Sequence, residues 1–224
     1  MSEYDRSFYE QLHLSSRSSA EEIVPFLLEK YHPKSIIDVG CGGGEFINEF
    51  KQSGVSAIGV EGDWVLPLYE KHPEWLIIAN LSEKIEIKTV FDIALCLEVA
   101  EHIHESFSDT LIENLVSLSN RIVFSAAIPG QSGTGHINLR YPEYWAKKFA
   151  KHGFFLEYDP RSEFWSNEKV APWYSQNLLV FANSSIFHLD FKLPRTLRHP
   201  EIFSISKTLK RTVLQILKCF KVYK

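Results

Sequence analysis

At 224 residues, with 45% apolar side chains, the chain is long enough for one domain with a proper core and short extensions. Its three cysteines (Cys41, Cys96, Cys219) are odd in number and form no C-x-x-C pair, which excludes a disulfide framework and points to a reducing, cytoplasmic compartment. The net charge of −4 hides an asymmetry, because residues 192–224 carry +8 and the remainder −12, so an acidic body is joined to a basic tail.

Taken in chain order, the N-terminus Met1-Ser2-Glu3-Tyr4-Asp5-Arg6 is polar and charged, which argues against a secretory signal. Residues Tyr4–Tyr31 read as helical, with Ser19-Ala20-Glu21-Glu22 as a capping box. Pro25 lies too deep for a first turn, so the pattern predicts a helix that starts later or kinks there. Strand-like runs follow at Ile36–Val39, Ala57–Val60, Leu76–Ile78, Phe91–Leu97 and Arg121–Ala126, with helix-like patterns between several of them. That alternation predicts an α/β fold, a doubly wound, mostly parallel sheet with helices on both faces. Phe154–Tyr158 and Leu178–Phe181 close it as an antiparallel C-terminal hairpin. The expected layout is a helical cap over 1–32, the α/β domain over 33–185 and a basic extension over 186–224. No segment reaches the ~20 apolar residues of a membrane span.

The first strand ends in Asp38 and runs into Gly40-Cys41-Gly42-Gly43-Gly44-Glu45. This is the strand–turn–helix entry of a nucleotide site. A pyrophosphate site needs a third glycine where this chain has Glu45, and Asp38 and Glu45 would repel phosphate. A ligand with an ammonium and a sulfonium group, such as S-adenosylmethionine (SAM), suits the same carboxylates. Glu61 ends the second strand 23 residues after Asp38, where a carboxylate accepts from a ribose diol.

These motifs resemble class I SAM-dependent methyltransferases. Asp38-Val39-Gly40-Cys41-Gly42-Gly43-Gly44 is similar to their first motif, and Gly59-Val60-Glu61, followed by Gly62, to their acidic loop. Asn80-Leu81 stands where the family has Asp and an apolar residue beside the adenine, and Phe91–Glu98, with Leu97 at the strand end, resembles the fourth-strand motif. The resemblance implies a Rossmann-like seven-stranded sheet and SAM held by Asp38, Gly40, Cys41, Gly42, Glu61, Gly62, Asn80, Leu81 and Leu97.

After the fourth strand comes Glu98-Val99-Ala100-Glu101-His102. If that turn is helical, Glu98, Glu101 and His102 share a face, and two carboxylates with an imidazole bind a divalent cation. This E-x-x-E-H run resembles the metal motif of two O-methyltransferase groups, one acting on the 3′-terminal 2′-hydroxyl of small RNAs and one in ubiquinone biosynthesis. In the RNA group a further His completes the site, and His136 holds a comparable place here. The resemblance thus implies Glu98, Glu101, His102 and His136 as ligands of Mg²⁺ or Mn²⁺. The same run also occurs in metal-free methyltransferases, where the carboxylates cap a helix. There His136 serves instead as the catalytic general base, its unperturbed pKa lying near 6.5.

Ser125–Pro129, Gly135-His136-Ile137-Asn138, Tyr144-Trp145, Trp165, Trp173-Tyr174, Gln176-Asn177 and the early Leu12–Ser16 are similar to one bacterial methyltransferase subfamily. Its members are often linked to surface-polysaccharide or secondary-metabolite pathways. Aromatic and amide side chains suit a hydroxylated acceptor, which makes Gln131, Asn138, Trp173, Tyr174 and Asn177 candidate substrate residues. The expected reaction is O-methylation of a sugar or polyhydroxyl small molecule or glycan. An RNA 3′-terminal 2′-O-methyltransferase and a non-catalytic SAM-binding scaffold are the alternatives. The acidic body opposes nucleic-acid binding.

In the tail, Ile202, Ile205, Leu209, Val213, Ile216 and Phe220 form an apolar helical stripe flanked by Lys207, Lys210, Arg211, Lys218 and Lys221. Such a helix suits an anionic membrane surface on the cytoplasmic side, docking on its own domain, or self-association.

Overall fold

The computed structural model describes residues 6–69 and 71–203. The elements are α1 (Arg6–Tyr31), β1 (Ser35–Val39), α2 (Glu45–Gln52), β2 (Ser56–Glu61), β3 (Leu76–Ile78), β4 (Ile93–Leu97), α3 (Ser108–Leu118), β5 (Arg121–Ser125), α4 (Pro142–Lys151), β6 (Phe154–Tyr158), α5 (Arg161–Phe164), α6 (Pro172–Asn177), β7 (Leu179–Asn183), α7 (Ser184–Phe187) and α8 (Pro200–Phe203). The seven strands form one sheet in the order β3-β2-β1-β4-β5-β7-β6. The β1–β2, β1–β4, β2–β3 and β4–β5 pairs are parallel, and β7 runs antiparallel to both β5 and β6. The sheet therefore reverses its strand order between β1 and β4, where ligands of open α/β sheets bind at the carboxyl ends.

Strands buried on both faces need apolar residues at every position rather than at alternate ones. In β4 all five residues are buried, and their side chains divide between two cores. Ile36, Ile93, Leu95, Val123 and Val180 face α1, α2 and α6. Ile37, Val39, Ala94, Cys96, Ile122, Phe124 and Phe181 face α3 and α4. On the second face Phe149 of α4 stacks on Phe181 at 4.5 Å and meets Phe124 edge-on at 5.3 Å. The starts of β1 and β4 are tied by Asp92, whose carboxylate accepts from the amides of Lys34 (2.8 Å) and Ser35 (2.9 Å).

The N-terminal region departs from its sequence reading. Ser19 does not start a helix, because α1 runs unbroken through it and through Pro25. The Ser19 hydroxyl donates to the Ser15 carbonyl (2.7 Å) and accepts from the amide of Ala171 (2.9 Å), while Glu22 accepts from Asn167 and Lys169. These polar groups face the domain, and the buried stripe Ser16, Ser19, Ala20, Ile23, Val24, Leu27 holds the helix against it despite the proline.

The C-terminal segment is also docked. Phe191 packs on Phe155 of β6 (5.7 Å), Thr196 donates to Glu143 of α4, and the fully buried Arg161 donates to the Arg195 carbonyl (2.7 Å). Asp159 grips the same guanidinium through two bonds. The amphipathic stripe beyond Ile202 lies outside the described residues. Among the described residues no helix is long and apolar enough to cross a membrane.

Replacing Phe149 with Ala removes the ring that both Phe124 and Phe181 contact. Urea unfolding should show a loss of about 3–5 kcal/mol with an unchanged denaturant slope. A loss below about 1 kcal/mol would contradict this packing.

Candidate active site

At the carboxyl end of β1 the chain turns through Gly40 at φ +85, a conformation L side chains rarely adopt. A Cβ there would also lie 2.3 Å from Val99, so the turn requires glycine twice over. The amides of Gly40 (2.8 Å) and Cys41 (3.3 Å) both donate to the Val60 carbonyl, which binds the glycine loop to β2. The Glu61 carboxylate, at the end of β2, accepts from the amides of Gly42 (2.9 Å) and Gly62 (2.8 Å). Asp38, Glu61 and Cys41 are thus gathered in one buried turn. Leu81 and Leu97 are buried nearby in the sheet's two cores. Asn80 is exposed, with its amide in its own turn, accepting from Ser82 (3.0 Å) and donating to Glu83 (2.9 Å).

Burial dominates the electrostatics. It pushes Asp38 up to about 7, with Glu61 and Glu45 adding to the rise. Burial also raises Glu61, although the amides of Gly62 and Gly42 pull it back. Anionic groups held this way gain from a cationic ligand, because it supplies the charge that desolvation removed. The ammonium and sulfonium of SAM fit that need.

β4 ends in Leu97, and the chain turns at Glu98 in the left-handed region, φ +55. A non-glycine residue there costs on the order of 1–3 kcal/mol and persists only where its surroundings enforce it. Here the amide of Glu98 donates to both the carbonyl and the hydroxyl of Ser125 (3.0 Å each). The expected helical face across Glu98, Glu101 and His102 is therefore not formed. Glu98 turns to amide side chains, accepting from Gln131 Nε2 and Asn177 Nδ2 (3.1 Å each).

The Glu101 carboxyl lies beside that of Glu98, close enough for the two to share a proton. One of its oxygens accepts from the Ala127 amide (3.1 Å), and no other donor among the described residues reaches the second. The Glu101 carbonyl accepts from the amides of Ile137 (2.9 Å) and Asn138 (3.0 Å), which draws the glycine-rich loop onto β4. That loop delivers His136. One ligand-type atom each from Glu101, His102 and His136 lie within 4.8 Å of one another, and Glu98 is not in that group. His102 Nδ1 is bonded to the Gly135 carbonyl (3.2 Å) and His136 Nδ1 to that of Gln131 (3.3 Å). A carbonyl only accepts, so both rings carry the Nδ1 proton and leave the Nε2 lone pair open. Gly133 permits the approach, since a Cβ there would lie 2.2 Å from the His136 ring. Burial holds His102 down to about 4 and lowers His136 as well. Burial raises both Glu98 and Glu101; the Glu98 carboxyl raises Glu101 further, while hydrogen bonds with Asn177, Ser125, Gln131 and Glu101 pull Glu98 back.

Of the other expected substrate residues, Asn138 is buried, donating to Ser108 (3.0 Å) and accepting from Arg140 (3.0 Å). The Tyr174 hydroxyl meets that of Ser16 (3.3 Å), and its ring lies edge-on to Phe46. Trp173 is half-buried against the α1 face. Gln131 and Asn177 belong to the amide cluster at Glu98. Gln176 bridges that cluster and was not among the expected site residues. Its signal in the sequence is its place in the Gln176-Asn177 pair that resembles the bacterial subfamily.

The fold and the buried carboxylate turn define a class I SAM-dependent methyltransferase. A family model described as a methyltransferase domain matches residues 11–159, and the chain belongs to that family. It is 27% identical over 127 residues to a mitochondrial ubiquinone biosynthesis O-methyltransferase of Schizosaccharomyces pombe, covering 51% of this chain and 46% of that relative. The chain thus spans under half the length of that curated relative. In fold it is similar to a SAM-bound amino pentose methyltransferase from Micromonospora echinaspora involved in calicheamicin biosynthesis (TM-score 0.61, 14% identity, 82% of this chain and 99% of that one). It is also similar to magnesium protoporphyrin IX methyltransferase from Synechocystis PCC 6803 with bound S-adenosylhomocysteine (SAH; TM-score 0.57, 16% identity, 82% and 90% covered).

Asp38 gives a pH-dependent test. Its folded value of about 7 exceeds the ordinary 3.8, so its protonated form stabilises the ligand-free fold below pH 4. That contribution is lost as pH rises through 7. Asp38→Asn should therefore melt with the wild type at low pH and above it at pH 8, while binding SAH more weakly. Equal pH profiles for the two proteins would contradict the assignment.

Proposed function

We propose that the protein transfers the methyl group of SAM to a hydroxyl oxygen of a sugar or related polyhydroxyl acceptor, using a divalent cation held by Glu101, His102 and His136. The observation that carries this reading is the convergence of those three side chains with both Nε2 atoms open. Its donor set suits a borderline cation, and the buried Glu101 carboxyl, set against that of Glu98, is the group whose charge such an ion would offset. Both imidazoles are neutral at physiological pH because burial lowers them, which is the form that ligates. The S. pombe relative, an O-methyltransferase by name, supports oxygen as the atom modified.

A cation bound there would lower the pKa of an acceptor hydroxyl and orient it through a neighbouring oxygen. The protein's own part is positioning. Asp38 and Glu61 hold the donor's cationic and ribose ends at β1 and β2, while the trio sits at the end of β4, across the point where strand order reverses. Methyl transfer is an in-line displacement, in which the acceptor oxygen bonds to the methyl carbon as the carbon–sulfur bond breaks and SAH leaves. Fixing donor and acceptor at one end of the sheet therefore supplies most of the acceleration. Phe107, Ile137 and Tyr141 are exposed on the two loops that carry the trio, and the apolar face of a sugar ring matches them.

A second reading keeps His136 and dispenses with the ion. Its ring is neutral with Nε2 free, so it takes the hydroxyl proton directly as the methyl group arrives.

The two readings separate on metal removal. With a panel of sugars, catechols and RNA 3′ ends, and isotopically labelled SAM, the expected product is a methylated sugar. Turnover should stop in EDTA after dialysis and return with Mg²⁺ or Mn²⁺. Full turnover in EDTA would eliminate the metal reading and leave the His136 base. His136→Ala should lower kcat by about 10²-fold or more with SAH affinity kept. Wild-type turnover by that variant would remove His136 from both readings.

A further inference from the structure

The amide cluster behind Glu98 reaches further than the site. Gln131 Nε2 donates to Glu98 (3.1 Å), and Gln131 Oε1 accepts from Gln176 Nε2 (2.9 Å) and Asn177 Nδ2 (3.0 Å). Gln176 Nε2 also donates to Asn177 Oδ1 (3.0 Å), and Gln176 Oε1 accepts from the backbone amide of His199 at 2.7 Å. Gln131, Gln176 and Asn177 are all buried. Both polar atoms of the Gln176 side chain are thereby engaged, and its side-chain acceptor is filled from the C-terminal segment. At the opposite end, the Gln131 carbonyl is the atom that holds His136 Nδ1 (3.3 Å).

We propose that Gln176 is a positioning residue for His136, and that the C-terminal segment through His199 is part of the active-site scaffold. The argument is one of constraint. The group that holds the His136 ring is the backbone carbonyl of Gln131, which is set by the turn bond from the Gln131 amide to the Ile128 carbonyl (3.0 Å) together with the anchoring of the Gln131 side chain. That side chain is fixed by amides from α6, and α6 presents them in one orientation because the His199 amide occupies Gln176 Oε1. A primary amide has distinct donor and acceptor ends, so an acceptor satisfied at one end commits the donor to the other. The segment is held in place independently of the amide cluster, by Arg161 on the Arg195 carbonyl, by Thr196 on Glu143, and by the His199 ring on the Trp165 carbonyl (3.0 Å). It therefore acts as a fixed donor. The same cluster holds Glu98 in its left-handed turn, and that turn lets Glu101 face the histidines. The inference rests on the trio being the site of chemistry. It assigns Gln131 and Asn177 to holding the loop rather than to touching the acceptor.

Two substitutions at one residue separate the backbone amide from the ring. His199→Pro removes the N–H that Gln176 accepts, whereas His199→Ala keeps that N–H and removes the imidazole. Gln176→Leu breaks the same link from the other side. In the full-length protein, the His136 tautomer is read by long-range proton–nitrogen NMR and Mn²⁺ affinity by titration calorimetry, with SAH affinity as the check on the fold. The expected result is an Nδ1-protonated His136 in wild type and in His199→Ala. In His199→Pro and Gln176→Leu a mixture of tautomers should appear, Mn²⁺ binding should weaken about tenfold, as for lost outer-shell partners, and SAH affinity should stay within about twofold. A wild-type tautomer and Mn²⁺ affinity in both His199→Pro and Gln176→Leu would overturn the proposal, as would equal losses in His199→Ala. If Gln176→Leu does not fold, His199→Pro decides, because it keeps every side chain of the cluster. If wild type takes up no Mn²⁺, the metal reading fails by itself and the tautomer alone decides the inference.

Discussion

The site depends on carboxylates buried at the carboxyl ends of parallel strands. Asp38, Glu61 and Glu101 are almost fully buried, and Glu98 is turned into a cluster of amides. Among the described residues none of the four is ion-paired to Lys or Arg. Burying a carboxylate without a cation is costly, and folded chains answer with amide donors, with protonation or with a bound cation. Here the three answers are distributed. Glu61 and Glu98 take amides, Asp38 is pushed toward its protonated form, and Glu101 is raised by burial beside the Glu98 carboxyl. The charge that would relieve Asp38 and Glu101 is the charge that a sulfonium donor and a divalent ion bring.

The turn at Glu98 is what lets two neighbouring carboxylates do different things. The left-handed conformation lets the Glu98 carboxylate take amides from α6 and Gln131 while Glu101 reaches the Ala127 amide, with the two carboxyls still side by side. The strain at that residue is offset by Ser125, which accepts its amide, and by the two amide side chains on its carboxylate. The antiparallel end of the sheet matters here as well. By lying between β5 and β6, β7 brings α6, which directly precedes it, to the end of β4. A plain hairpin added at the sheet's edge would leave Gln176 and Asn177 a strand further away.

The sheet was largely legible because its strands are buried on both sides and so read as short, nearly continuous apolar runs. All seven runs became strands, two with the expected bounds and five with shifted ends. The fourth begins at Ile93 because Phe91 makes only an isolated bridge to Ser119. The glycine turn was legible for a different reason, since φ near +85 beside Val99 admits only glycine. The N-terminal helix was misread at Ser19 and Pro25. Capping and breaking signals are local preferences, and a long buried stripe overrides them.

The sequence by itself therefore determined the α/β architecture, the glycine turn after β1 and the short list of groups able to do chemistry, because each follows from periodicity or from the local stereochemistry of one turn. Only the tertiary structure decided which of those groups meet. Glu101 and His102 are neighbours in the chain, but His136 reaches them through a loop pinned by a carbonyl, and Glu98 is committed to the amides of Gln131 and Asn177. Gln131 and Asn177 have the polarity of substrate residues, and the fold places them in a hydrogen-bonded cluster with Gln176, whose side-chain oxygen takes the His199 amide. Which donor an amide side chain finds is settled by contacts 20 to 80 residues away along the chain, and no local pattern encodes them.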